Sequence, residues 1–216
     1  MKAMVFIDGG WMVGARKVIF NKTNGGENFD IDYAKLPRTI VSKLEDYLNY
    51  DIEVNRTHYF TVNHSDDEKG NKFTGFLRDK VGYSINYAPR GVSGIDVAIA
   101  SDVMLYGHLN AYDVAVICSD RDSLVPLVAA VRQMGKQVQF VTTSEVTDSI
   151  MRSGHSYVNV SDFPIVSLDD FGDELRLTRE KRVRTCRKCG SEEETEWDGP
   201  NFFCSKCKAE ARRNRG

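Results

Sequence analysis

A chain of 216 residues holds one α/β domain of roughly 150 to 170 residues and a small appendage, and excludes two full domains. With 41% hydrophobic and 28% charged residues it is no disordered polymer, and no stretch approaches the ~20 apolar residues of a membrane helix. The net charge of −2 conceals a division: residues 1–175 carry 17 Lys or Arg against 24 Asp or Glu, whereas residues 176–216 carry 12 against 7.

Met1-Lys2-Ala3-Met4 leads at once into an apolar strand, without the apolar region and small-residue cleavage site of a signal peptide, so a cytoplasmic protein is expected. In chain order, strands are predicted at 4–7, 58–62, 84–87, 114–117, 138–141 and 157–160, from β-branched and aromatic runs. Helices are predicted at 33–48, 67–81, 95–109, 123–134 and 145–153, where apolar residues recur at three and four. Residues 21–32, polar and glycine-containing, read as a loop. Alternating strands and helices imply a mostly parallel sheet covered by helices on both faces, an α/β fold spanning residues 1–166.

Several acids stand where such a fold binds ligands. Asp8 follows the first strand and precedes Gly9-Gly10, and Asp120 and Asp122 follow the strand at 114–117 through Cys118-Ser119. Ligands of open parallel sheets lie outside the carboxyl ends of the strands, so these turns are expected to face one cleft. Asp96, opening the helix after the turn at 91–94, is expected on the same rim. Carboxylates gathered in one cleft repel each other without a cation, and hard oxygen donors suit Mg²⁺ or Mn²⁺. Such an ion supports phosphodiester hydrolysis by activating water and neutralising charge on phosphate oxygens. Taken singly, each Asp also fits a turn or helix cap. Asp102 lies about 9 Å further along the helix than Asp96 and is rotated away from it. It and Ser119 are expected to support the site rather than grip the ion. Arg16, Lys17 and Arg90 are candidate phosphate contacts and Trp11 a candidate base-stacking residue, although solvated surface and core packing are the ordinary roles of such side chains.

Residues 167–185 become charged and lose apolar periodicity, as a linker or solvated helix does; Arg179, Lys181, Arg182 and Arg184 there suit phosphate as well as solvent. Beyond it, Cys186-x2-Cys189-Gly190 and Cys204-x2-Cys207 stand fourteen residues apart. Two such knuckles present four thiolates to one tetrahedral ion. Residues 186–216 hold Trp197, Phe202 and Phe203 but too little apolar bulk for an unaided core, so a structural Zn²⁺ would supply their folding energy. Two disulfides or an iron–sulfur cluster are the competing readings. Cys118, inside a predicted buried strand, reads as a small core residue.

Three blocks together resemble the NYN domain of the PIN-like nucleases in order and spacing: residues 4–10, residues 94–102, and residues 114–122 with Val125-Pro126-Leu127-Val128 and Gly135-Lys136 behind them. The resemblance covers roughly residues 1 to 165. It implies a Rossmann-like PIN fold and Mg²⁺- or Mn²⁺-dependent cleavage of RNA, with Asp8, Asp96 and Asp120 as metal ligands and Asp122 and Asp102 as lesser members of the acidic set. Two positions depart from the family pattern: Trp11 stands where Asn is common, and Ser93 where Lys is favoured. Their replacement implies weakened catalysis or altered substrate choice. The rivals are an inactive NYN-like adaptor that binds RNA or protein, and a phosphatase that also begins with Asp after its first strand. The phosphatase chemistry needs a second Asp where this chain has Gly10. RNA is the expected partner, single-stranded DNA the alternative. A protein held by the zinc module and a homo-oligomer are left open, and no membrane is expected.

Overall fold

The computed structural model describes residues 1–22, 30–62, 68–91, 94–145, 160–178, 180–197 and 199–213. The chain divides into two compact units, Met1–Arg176 and Leu177–Gly216.

The first unit is built on a six-stranded, all-parallel sheet in the order β3-β2-β1-β4-β5-β6, comprising β1 (Lys2–Asp8), β2 (Glu53–Val62), β3 (Ser84–Ala88), β4 (Val114–Cys118), β5 (Gln137–Thr142) and β6 (Val166–Ser167). Its central strands are buried on both faces, as crossover helices require. Alternate residues of β1 and β4 enter two separate cores. Ala3, Val5, Ile7, Val114, Val116 and Cys118 pack on one side with α1 (Gly9–Lys22) and α2 (Leu36–Leu48). Met4, Phe6, Ala115 and Ile117 pack on the other with α4 (Gly94–His108) and α5 (Val125–Gln133). The α/β expectation is therefore met, with helices on both faces.

Three elements differ from the expected pattern. Residues 9–22, given no element in the sequence reading, form α1. The single helix expected over 67–81 is an α-helix, α3 (Glu68–Phe76), that widens into a π-helical turn, Leu77–Val81, closed by Gly82 in the left-handed conformation at φ 89°. The sixth strand is Val166–Ser167, paired with Val141 and Thr142. The strand expected at 157–160 lies, except for Val160, outside the described residues, as does the helix expected at 145–153, except for Glu145.

The strand order places one reversal in the connectivity. From β1 the chain moves outward to β2 and β3, then returns past β1 to continue with β4, β5 and β6. The crevice of a doubly wound sheet opens at such a reversal, here between the carboxyl ends of β1 and β4.

The second unit pairs β7 (Arg182–Thr185) with β8 (Glu192–Thr195) as an antiparallel ribbon, followed by α6 (Ser205–Arg213). Among the described residues its buried hydrophobic cluster is Cys186, Phe202, Cys204 and Cys207.

Candidate functional site

Asp8 ends β1 at the reversal and is fully buried. One carboxylate oxygen, Oδ1, accepts the backbone N–H groups of Gly10 (2.8 Å) and Trp11 (3.2 Å), so Asp8 caps the amino end of α1. The other, Oδ2, faces β4, accepting Ser119 Oγ (3.3 Å) and Arg121 Nε (2.7 Å). Ser119 Oγ in turn accepts the N–H of Arg121, which ties the two strand-end turns together.

Asp96 reaches the same place from the first turn of α4 and is 8% exposed. Its Oδ2 accepts Ser123 Oγ at 2.5 Å. Its Oδ1 is buried without an aligned hydrogen bond, 3.1 Å from Arg121 Nε. Asp8 and Asp96 thus converge on one guanidinium, which supplies the positive charge two buried carboxylates need.

Asp120 and Asp122 follow β4 on the exposed rim, Asp122 opening a 3₁₀ turn, Asp122–Leu124. Partial burial raises the Asp120 carboxyl, and the charge of Asp8 adds to the rise. Asp120 and Arg121 line a cleft of about 470 Å³ with Gly10, Lys17 and Thr143. Trp11 lines it too, but is only 6% exposed and packs into the core beneath. Arg16 forms an exposed ion pair with Asp30. Arg90 is exposed beyond β3, and Ser93 lies outside the described residues.

Asp102 stands apart from this convergence. It lies 3.6 Å from His58 Nδ1, and burial raises its carboxyl. His58 is 1% exposed, stacked on Phe6 and close to Tyr106. Burial lowers its pKa to about 4, and Arg56 adds to the effect. Asn86 Nδ2 donates to His58 Nδ1 at 3.0 Å, which leaves the ring's proton on Nε2, a buried atom with no hydrogen-bond partner.

Sequence reasoning passed over Arg121 and Ser123, which complete the environment of the acids. A basic residue between two aspartates after a buried strand was the available signal for the first. Nothing in the sequence marked a serine twenty-seven residues from Asp96 as its donor.

The four cysteines of the second unit are unpaired, and their sulfurs lie within 4.8 Å of one another. Among the described residues they are the one group of three or more His, Cys, Asp or Glu drawn so close; the aspartates, spaced by Arg121, do not close to that distance. The backbone shapes this cluster. Gly190, at φ 73°, turns the first knuckle and donates to Cys186 O (2.9 Å), while the N–H of Cys204 points at Cys186 Sγ (3.3 Å) and lowers that thiol to about 6. Glu193 Oε2 accepts the N–H and Oγ of Ser205, capping α6. The arrangement fits a small zinc module. Cys118 is a buried core residue whose thiol is pushed up by desolvation.

A family model described as the NYN domain matches residues 2–162. No curated protein matches the chain. Among solved structures, a protein of unknown function from Vibrio parahaemolyticus is similar, with 16% identity, a TM-score of 0.51, and coverage of 81% of this chain and 96% of that one. At that identity the likeness bears on the fold alone. No helix among the described residues is long and apolar enough to cross a membrane.

Proposed function

This chain belongs to the NYN domain family of PIN-like nucleases, and from that premise we propose that it hydrolyses RNA phosphodiester bonds with a Mg²⁺ or Mn²⁺ ion held by Asp8, Asp96 and Asp120. The observation that carries the proposal is the convergence of Asp8 and Asp96 on a single cationic centre, at 2.7 and 3.1 Å, where the sheet's connectivity reverses. The residues suit a hard divalent ion. Asp8 keeps Oδ2 directed away from the helix it caps, and Asp96 Oδ1 is a buried anionic oxygen without an aligned donor. Asp120 adds a third carboxylate from the neighbouring turn, with Asp122 beside it on the rim.

A divalent ion bound there supplies Lewis acidity toward water and toward the phosphodiester. The chain's own groups do the positioning. Ser119 and Ser123 each donate to one carboxylate and so fix where its remaining lone pairs point. Lys17, which lines the same cleft as Asp120, offers a cation to the phosphate backbone. The four cysteines hold a structural Zn²⁺, because four protein ligands leave no open position for catalysis.

The test is cleavage of labelled single-stranded and structured RNA, and of single-stranded DNA, in Mn²⁺, in Mg²⁺ and in EDTA, beside Asp120→Asn. Cleavage of RNA in Mn²⁺ or Mg²⁺ is expected, with a loss of at least about a hundredfold in the variant and none detectable in EDTA. Activity that survives both EDTA and the substitution identifies a contaminant.

A further inference from the structure

Asp8-Gly9-Gly10, where β1 passes into α1, has a recess on each side. One is the cleft of Lys17, Asp120 and Arg121. The other, about 280 Å³, lies between α1, α3 and the end of β3, and shares Gly9 and Gly10 with the acidic turn. Ile95, the neighbour of Asp96, lines it as well. We propose that this second recess is a nucleobase subsite, in which Tyr87 stacks a base of the nucleic acid whose phosphate lies at the acids; the idea rests on the nuclease reading above.

The walls suit a base. Tyr87 stands next to last in β3 and remains 48% exposed, although its hydroxyl lies 3.3 Å from Thr74 Oγ1. Thr74 Oγ1 has one proton and directs it to Gly70 O or Asn71 O, at 3.1 and 3.2 Å, so Tyr87 is the donor to Thr74. The phenol is therefore held at its tip while much of the residue stays open, the preorganisation that makes an aromatic side chain an inexpensive stacking platform. Phe73 lines the recess too and packs edge-on against Tyr59, another lining residue, at 6.0 Å between ring centres and 78° between planes, which stiffens that wall. Asn71, exposed at the rim, brings an amide that both donates and accepts, as recognition of a base edge requires.

The continuity of the two recesses selects the occupant. An apolar protein side chain would also fit aromatic walls, but a nucleotide uses a charged and an aromatic surface placed side by side. Gly10 lines both recesses, so a phosphate beside Asp120 and a base beside Tyr87 belong to neighbouring parts of one strand.

The test compares the full-length protein with Tyr87→Ala and Tyr87→Phe. Binding is measured by anisotropy without chelator, with Ca²⁺ in place of Mn²⁺, using a labelled 12-nucleotide single-stranded RNA and the same ribose-phosphate backbone without bases. Tyr87→Ala should bind the RNA about tenfold more weakly, Tyr87→Phe within about twofold of the wild type, and all three should bind the abasic strand alike. Equal RNA binding by Tyr87→Ala and the wild type overturns the subsite, as does an equal loss on the abasic strand. Cleavage by the wild type in Mn²⁺ is scored separately. Its absence defeats the nuclease reading, whereas cleavage with RNA binding unaffected by Tyr87→Ala defeats the subsite alone.

Discussion

Arg121 occupies the point where Asp8 and Asp96 need a positive charge, and its side chain is 32% exposed while that of Asp8 is fully buried. Its removal strands two carboxylates in a poor solvent for them. Arg121→Gln should lower stability without divalent ions by about 3 kcal/mol, the low end for breaking a buried pair because Arg121 itself is partly in water. Added Mn²⁺ should recover most of that loss and bind more tightly than in the wild type, as denaturant titrations with and without the ion will read. A variant that Mn²⁺ fails to rescue argues against a metal between these acids. His58 makes a second prediction. Its folded pKa of about 4 lies below the ordinary value of 6.5, so the unfolded chain takes up the proton first. Stability is full above pH 6.5 and falls as the pH drops toward 4, by up to ~3 kcal/mol. His58→Gln should flatten that part of the stability profile, and an unchanged slope would place the acid sensitivity elsewhere.

The central strands were legible because they are continuous apolar runs, and Asp8 and Asp120 were legible because each follows such a run. Helix α1 was not. Gly9, Gly10 and Gly14 with β-branched Val13, Val18 and Ile19 make a poor helix by local preference. It forms because Asp8 caps it and because Met12, Ala15 and Ile19 pack on the sheet, contacts the sequence alone does not display. The site was legible in part for the same reason: strand-end acids could be read, whereas Arg121 and Ser123 acquire their roles only when β4 and α4 meet. The start of α4 is set by contact rather than by pattern. A Cβ at Gly94 would lie 2.0 Å from Pro89 O. Gly94→Ala should therefore shift the turn that carries Asp96, costing about 1–3 kcal/mol in thermal unfolding and lowering cleavage more than stability alone explains. Unaltered cleavage would show that Asp96 tolerates the displacement.

The two units draw on different sources of stability. Met1–Arg176 holds two apolar cores, one on each face of its sheet, whereas Leu177–Gly216 buries little beyond three cysteines and Phe202. The purified chain should carry about one zinc, and a strong chelator under reducing conditions should unfold the second unit while the first keeps its melting transition. Trp197, whose Nε1 donates to Asn201 O at 2.9 Å, reports that loss through its fluorescence. A zinc-free sample with unaltered Trp197 emission would show that the unit folds without metal. The sheet's outer margin has its own consequence. β6 pairs with just the last two residues of β5, and Asp162 takes over further back, its N–H donating to Val138 O (2.9 Å) and its Oδ2 accepting the N–H of Val138 (2.8 Å). One residue thereby imitates a ladder rung and seals a border at which a stray strand could otherwise dock.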